Sequence, residues 1–334
     1  MNQWLANTVS QKRPLPILTL PAASLLGVQI CDVVASSDLQ LAIMQRVLEE
    51  TDSPAVLSFM DLSAEAEAFG AAIKYSEDEI PTVFGRIVTN QAEAEALAVP
   101  SVGAGRTGQY LSSAERAVKT FSDRPVLAGC IGPFSLAGRL NGVTEIMISC
   151  RKQPELLQIL LEKVTEFILA YIQAYKDLGA GGVIMAEPLA GMLTPKFTAQ
   201  YSAPYVKRII QAVQDEHFIV VYHNCGQGVL RMIDSIQDQG AAAYHFGNAV
   251  SMRDVLEAMP CNAVCMGNVD PGGQLYGGTP ESVYKATTAL LEQCDSYPNF
   301  LLSTGCDVPP ASPWENIRAF YRAAADFQAT KAGR

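Results

Sequence analysis

Long apolar runs are missing from this 334-residue sequence, and their absence argues against a helical membrane protein. The longest apolar stretches are shorter than about ten residues, whereas a helix that spans a bilayer needs about twenty. Residues 1–14 also lack the apolar segment of a secretory signal. We therefore expect a cytoplasmic protein that has no membrane partner.

Basic residues are few as well. The chain has 24 Lys and Arg against 34 Asp and Glu, which gives a net charge of −10, and no stretch of the sequence concentrates the basic ones. Nucleic acids carry phosphates that bind to basic surfaces. This balance therefore argues against a nucleic-acid partner.

Histidine is scarce, with three residues, but the chain has eight cysteines. A protein without a secretory signal meets a reducing environment. There, paired cysteines more often bind metals or act in catalysis than form disulfides. The cysteines are therefore candidates for a metal or catalytic site.

Apolar residues make up 49% of the chain, enough for one large core, and they recur in short runs rich in Val, Ile, Leu and Ala. Continuous rather than alternating hydrophobicity is typical of parallel strands covered on both faces. The eight predicted strands are residues 17–20, 55–59, 126–130, 182–186, 218–222, 241–246, 263–266 and 300–303.

Amphipathic segments separate most of these runs, and several start with residues that favour the beginning of a helix. The predicted helices are residues 37–50, 154–178, 194–214, 228–239, 252–259, 280–293 and 313–329. Alternating strands and helices predict right-handed βαβ units, and eight of them close into a barrel. We therefore expect one α/β domain over residues 1–334, a single (β/α)8 TIM barrel. Residues 1–13 would form an N-terminal extension, and residues 61–124 an insertion between strands two and three.

Polar residues follow the predicted strands at the end where such barrels build their active sites. Two of the three histidines are among them. These residues are Asp61, Glu187, His223, Cys225, His245, Asn268, Asp270 and Cys306.

Two motifs in this set predict a zinc site. "YHNCG" at 222–226 supplies His223 and Cys225, and "STGCD" at 303–307 supplies Cys306. One imidazole and two thiolates suit zinc, and three protein ligands with an open fourth position are typical of a catalytic site. The alternative is a core histidine with two ordinary buried cysteines.

The segments "VYHNCG", "MGNVDPGG" and "LLSTGCDVPPASPWENIRAFY" resemble the uroporphyrinogen decarboxylase superfamily. The similarity extends over nearly the whole chain and is greatest to the MtaA/CmuA branch of corrinoid-dependent methyltransferases. That branch carries a His-x-Cys…Cys zinc motif, matched here by His223, Cys225 and Cys306. The resemblance implies a barrel, zinc, and transfer of a methyl group involving a corrinoid (cobalamin) on a separate protein.

The acceptor stays open at this stage. Coenzyme M, a small thiol, is the acceptor that the resemblance implies first, and zinc would activate such a thiol as a thiolate. Alternatively, the methyl group is transferred to tetrahydrofolate, or the protein is a component of an O-demethylase. A third possibility is a zinc-binding scaffold protein without catalytic activity.

The decarboxylase branch differs at two places. It has an arginine-rich segment near its N-terminus that binds substrate carboxylates, whereas residues 19–32 here contain no arginine. Its last strand tends to end in Gly-His, where this chain has Gly305-Cys306. Without cations, a polycarboxylate substrate would be repelled, so decarboxylation is disfavoured.

The remaining polar residues allow two interpretations each. Glu187 is either a displaceable zinc ligand or base, hence a catalytic residue, or a structural carboxylate. His245 contacts substrate or corrinoid, or is a hydrogen-bonded histidine of the barrel mouth. Asp61, Asn268 and Asp270 are candidates for cofactor binding, and the alternative for each is a structural role in the barrel.

Two further motifs are weak. "GAGRTG" at 103–108 matches the dinucleotide pattern, but it follows no clear strand and no strong helix is evident after it. Asp215 and His217 resemble the start of a corrinoid-ligating motif, but Val220 stands where that motif needs glycine. The chain leaves no room for a cobalamin module, so a corrinoid must come from a partner. The cysteines expected to be inert are Cys31, Cys130, Cys150, Cys261, Cys265 and Cys294.

Overall fold

Seven of the eight predicted apolar runs form one parallel sheet in the computed structural model, which describes residues 2–332. The ends of the predicted domain, residues 1, 333 and 334, lie outside the described residues. The strands are β1 (Val56–Leu57), β2 (Ala72–Lys74), β3 (Thr82–Phe84), β4 (Val126–Ile131), β5 (Gly182–Ala186), β6 (Ile219–Asn224), β7 (Ala243–Phe246), β8 (Val264–Val269) and β9 (Phe300–Thr304). The sheet has the order β1-β4-β5-β6-β7-β8-β9.

Helices fill the crossovers. They are α1 (Gln3–Ser10), α2 (Ala22–Leu26), α3 (Ile30–Ala35), α4 (Ser37–Glu50), α5 (Ala64–Ala68), α6 (Gln91–Ala96), α7 (Thr107–Thr120), α8 (Pro133–Asn141), α9 (Val143–Lys152), α10 (Pro154–Asp177), α11 (Pro195–Tyr201), α12 (Ala203–Val213), α13 (Ile233–Gln237), α14 (Met252–Ala258), α15 (Pro280–Cys294) and α16 (Trp314–Ala332). Short 3-10 turns cover Pro188–Met192 and Val229–Met232, and a π turn covers Pro271–Tyr276. Within residues 2–332, no helix combines the length and the apolarity needed to cross a bilayer.

The parallel sheet with its surrounding helices is a (β/α)8 barrel, as predicted, but its first strand position is irregular. Residues 17–20 were predicted as a strand, and this prediction is wrong. The chain nevertheless lies beside β9 here, because Leu15 N donates to Leu302 O at 2.9 Å and Val308 N, after β9, donates to Ile17 O at 3.0 Å. Pro14 and Pro16 have no N–H, so alternate positions cannot donate to a neighbouring strand.

The segment between β1 and β4 is the predicted insertion. It holds α5, the antiparallel hairpin β2–β3, α6 and α7. A helix does begin within the "GAGRTG" motif, at Thr107, contrary to expectation. Residues 97–106 before it are coil and turns rather than a strand, so the βαβ context of a dinucleotide site is missing.

The barrel has an apolar interior and a second apolar layer between strands and helices. Burial of each Val, Leu, Ile, Met or Phe side chain contributes about 1.5–3 kcal/mol. Side chains alternate between the two layers along each strand. The interior layer consists of Leu15, Ile17, Ala55, Leu57, Leu127, Ile184, Ala186, Ile219, Val221, Ala243, Val264, Met266 and Leu301, together with others at the ends.

Helix α1, within the predicted N-terminal extension, closes the end of the barrel where the strands begin. Its apolar side chains Leu5 and Val9 are buried in the interior layer. Trp4 Nε1 donates to the carbonyl of Pro54, just before β1, at 2.9 Å. The open mouth therefore lies at the opposite end, where the strands finish.

Candidate metal centre

Alternation along the strands turns three polar side chains into the barrel near its mouth. In β6, Val221 belongs to the interior layer, so His223, two residues later, also faces inward. The same alternation turns His245 inward on β7 and Ser303 inward on β9. His223 and His245 are register partners on adjacent strands, so their rings meet with centroids 4.7 Å apart.

The structure brings the three predicted zinc ligands together. Cys306 Sγ lies 3.5 Å from His223 Nε2, and one ligand atom from each of His223, Cys225 and Cys306 lies within 4.8 Å of the others. His223 is buried, whereas both cysteines are partly exposed. The donor atoms therefore form a cluster that a small molecule can approach from the mouth.

The loop after β6 shapes the position of Cys225. Asn224 Oδ1 accepts a hydrogen bond from Gly226 N at 3.0 Å, which tightens the turn. On the other side, Gly247 follows β7 and lies directly against Cys225. A Cβ at residue 247 would lie 2.6 Å from Cys225 Cα and 2.7 Å from its Cβ. Glycine at this position is therefore what allows Cys225 to stay in place.

The two thiols share their ionisation. A hydrogen bond from the Cys306 thiol lowers the pKa of Cys225, and the His223 ring makes a smaller contribution in the same direction. Hydrogen bonding to Cys225 and burial raise the pKa of Cys306 in turn. The two sulfur atoms therefore titrate as one coupled pair rather than independently.

His245 lies behind His223 rather than at the mouth. It is fully buried, its Nδ1 is 2.7 Å from His223 Nδ1, and its Nε2 is 2.8 Å from Ser303 Oγ. Burial holds the pKa of His245 well below its usual range, and the neighbouring His223 adds a smaller effect in the same direction, so the ring is neutral. Sequence reasoning missed Ser303, although it lies inside the "STGCD" motif.

Glu187 ends β5 but does not join the trio. Its Oε1 accepts from Ser135 N and its Oε2 accepts from Ser202 Oγ, both at 2.9 Å. The side chain is fully buried, and burial raises its pKa to about 7. Ser135 and Ser202 were not predicted, since they lie on helix starts distant in sequence. These contacts are those of an anchored carboxylate, and a catalytic role for Glu187 stays a prediction.

Asp61 lies at the rim after β1, in contacts internal to the chain. Its Oδ1 accepts from Ser63 Oγ at 2.6 Å, and its Oδ2 accepts from Tyr110 OH at 2.7 Å and from Arg106. Arg106 also pairs with Glu67 at 2.8 Å. Because both oxygens are engaged, the geometry favours a scaffold role for Asp61 over the predicted contact with a cofactor.

Asn268 and Asp270 also bond within the scaffold. Asn268 Nδ2 donates to the carbonyls of Gly247 and Val250 at 3.0 and 2.9 Å, which ties β8 to the loop after β7. Asp270 Oδ1 accepts from the backbone of the glycine turn that follows it, at 3.0 and 2.9 Å. Their predicted binding of a cofactor therefore has no geometric support beyond their place near the mouth.

The other singled-out residues lie apart from the trio. Cys265 is buried, and burial raises its pKa to about 12, while Cys261 is exposed before the start of β8. His217 precedes β6 at the closed end, with its side chain 85% exposed. None of them belongs to a metal-binding cluster of the described residues.

Comparison with known proteins identifies the family. The model of the uroporphyrinogen decarboxylase (URO-D) family matches residues 17–327. A methylcobamide:CoM methyltransferase MtbA of Methanosarcina acetivorans is 30% identical over 278 residues, which are 80% of this chain and 78% of that protein. A uroporphyrinogen decarboxylase of a Synechococcus strain is 26% identical over 295 residues, 86% of this chain and 82% of that protein.

A solved structure described as a methyltransferase from Methanosarcina mazei has the same fold, with a TM-score of 0.85, 22% identity, and coverage of 96% of this chain and 98% of that one. The chain therefore belongs to the uroporphyrinogen decarboxylase family. Within this family, it is a member of the corrinoid-dependent methyltransferase branch.

Proposed function

We propose that this methyltransferase holds a zinc ion between His223, Cys225 and Cys306. It would transfer a methyl group from a methyl-corrinoid, carried by a separate protein, to a small thiol such as coenzyme M. The observation that carries the proposal is the cluster of one imidazole nitrogen and two sulfur atoms at the barrel mouth. The curated relatives named for coenzyme M, one of them a methylated-thiol–coenzyme M methyltransferase, support the thiol as acceptor.

The geometry of the trio fits zinc. With bonds of about 2.3 Å to sulfur and 2.0–2.1 Å to nitrogen, a tetrahedral site separates sulfur and nitrogen by about 3.5 Å. Cys306 Sγ and His223 Nε2 are 3.5 Å apart. The three side chains would supply three ligands to the ion, which leaves a fourth ligand to come from a substrate.

When bound, zinc would supply the acidity that makes a thiol a thiolate near neutral pH. The chain's own residues set the charge, because the thiolates of Cys225 and Cys306 balance the ion and neutral His223 adds none. In the overall reaction the acceptor thiol loses its proton and its sulfur bonds to the methyl carbon. The electrons of the broken carbon–cobalt bond remain on cobalt, which leaves as cob(I)alamin.

Decarboxylation is disfavoured although decarboxylases are among the relatives. A polycarboxylate substrate needs free cations near the mouth. Residues 19–32 contain no arginine, and Arg106, at the rim, is already paired with Asp61 and Glu67. We further expect the reaction to take place in the cytoplasm, where both ligand thiols stay reduced.

The test is an anaerobic assay with methylcobalamin, which reads cob(I)alamin by absorbance against coenzyme M, other thiols and tetrahydrofolate. We expect about one zinc per chain and thiol-dependent transfer. Cys306→Ala should lose most zinc and nearly all transfer, whereas the matched control Cys261→Ala, at an exposed cysteine, should keep both. Full zinc occupancy in Cys306→Ala would refute the ligand set, and transfer to tetrahydrofolate alone would refute the thiol acceptor.

A further inference from the structure

A chain of hydrogen bonds leads from the proposed zinc ligand His223 to a backbone carbonyl. His245 Nδ1 lies 2.7 Å from His223 Nδ1, and His245 Nε2 lies 2.8 Å from Ser303 Oγ. Ser303 Oγ in turn donates to the carbonyl of Leu15 at 2.7 Å. His223, His245, Ser303 and Leu15 are all buried, so water does not compete for these contacts.

The carbonyl at the end of the chain fixes the direction of every bond. A carbonyl only accepts, so the single proton of the Ser303 hydroxyl points to Leu15. The hydroxyl oxygen is then left to accept, and His245 Nε2 must carry the proton that it receives. In a neutral ring, His245 Nδ1 is therefore bare and accepts the proton of His223 Nδ1.

A second, longer contact agrees with this direction. His223 Nδ1 also lies 3.3 Å from the backbone carbonyl of His245. Because a carbonyl has no proton to give, this contact also needs a proton on His223 Nδ1, which is then shared with the shorter bond to His245 Nδ1. With that proton on Nδ1, the Nε2 atom of His223, 3.5 Å from Cys306 Sγ, is the nitrogen left to bind a metal.

We propose that His245 and Ser303 are positioning residues that keep the proton of His223 on Nδ1, so that Nε2 is the nitrogen that binds the metal beside the two cysteine sulfurs. The relay rests on the proposed function for the identity of the metal, but its protonation pattern belongs to the metal-free chain. It replaces the carboxylate that often supports a metal-bound histidine with two uncharged side chains. It therefore adds no charge behind a ligand set whose own charge already balances a divalent ion.

The direct test is NMR of the metal-free protein with 15N-labelled histidine. The chain has only three histidines, and exposed His217 supplies an internal reference for a ring in water. We expect a proton on Nδ1 of His223 and on Nε2 of His245. A bare Nδ1 on His223, or a proton on Nδ1 of His245, would overturn the relay.

Variants test whether the relay matters for the metal. Ser303→Ala should mix the tautomers of His223 and lower zinc affinity, measured by chelator competition, by about 10–100-fold. The matched control is Ser113→Ala, a buried serine whose hydroxyl also donates to a carbonyl, but in α7. His245→Asn, which keeps an acceptor for His223, should bind zinc more tightly than His245→Leu.

Unchanged zinc affinity in Ser303→Ala, or equal affinities in the two His245 variants, would overturn the positioning role. If Ser303→Ala fails to fold, the tautomers of the parent protein still decide the matter. The predicted tautomers in a chain that transfers no methyl group would refute the proposed function and leave the relay intact. Zinc-dependent methyl transfer together with the opposite tautomers would support the proposed function and refute the relay.

Discussion

Replacing Gly247 by Ala should displace the proposed zinc ligand Cys225 without removing any donor atom. The new Cβ would lie 2.6 Å from Cys225 Cα, 2.7 Å from its Cβ and 2.9 Å from its carbonyl oxygen. The shortest ordinary contact is 3.4 Å, so the two groups must separate by about 0.8 Å. These neighbours are backbone atoms and a Cβ, so no flexible side-chain end can absorb the shift.

The shift is large on the scale of metal coordination. Zinc sites keep their ligand distances within about 0.2 Å, and 0.8 Å is roughly four times that tolerance. We expect Gly247→Ala to weaken zinc binding by at least about tenfold, equivalent to about 1.4 kcal/mol. Overpacking should also lower the stability of the metal-free chain by about 1–3 kcal/mol.

Chelator competition measures the zinc affinity, and urea unfolding of the metal-free chain measures the stability. The matched control is Gly272→Ala, since the Cβ added there would meet nothing closer than Asp270 Oδ1 at 3.7 Å. That variant should behave like the parent in both measurements. Parent-like zinc affinity in Gly247→Ala would show that Cys225 is not held where the contact requires, or that it is not a ligand.

Two predictions concern buried carboxyl groups. Burial raises the pKa of Glu65 to about 7 from its usual 4.5. The protonated carboxyl therefore contributes to the free energy of unfolding below pH 4.5, and this contribution is lost as the pH rises to about 7. Glu65→Gln can still accept the hydrogen bond from Ile131 N but does not ionise, so it should not show this loss. By urea unfolding, its free energy of unfolding should exceed that of the parent by up to about 3 kcal/mol at pH 8 and by little at pH 4. A constant difference between the two proteins at both pH values would contradict the assignment. Glu187→Gln should keep about one zinc per chain by metal analysis, because its carboxylate is bonded to Ser135 and Ser202, and zinc loss would show that Glu187 is a ligand.

Most of the barrel could be predicted because strands covered on both faces read as continuous apolar runs. The segment 17–20 was the exception, since Pro14 and Pro16 interrupt its ladder while its apolar side chains still pack like those of a strand. The start of α7 was missed because no side chain caps it and Gly108 lies in its first turn. Local patterns predict burial well, but they report hydrogen bonding only indirectly.

The candidate site was predictable in part for a similar reason. His223, Cys225 and Cys306 stand at strand ends, and a barrel brings strand ends together. The pairing of Asp61 with Arg106, 45 residues later, depends on how the insertion folds over the rim, which no local pattern encodes. Ser303 could have been found, because strand parity alone places it on the same face as Leu301 of the interior layer.

Because α1 closes one end of the barrel, it affects the order in which substrates bind during turnover. With Leu5 and Val9 filling the end where the strands begin, the proposed acceptor and methyl donor would have to share the mouth. A docked corrinoid protein is much larger than a small thiol and would obstruct its approach. Turnover should then follow a compulsory order, in which the thiol enters first and the methylated product leaves after the corrinoid protein. Free methylcobalamin, being small, should relax that order.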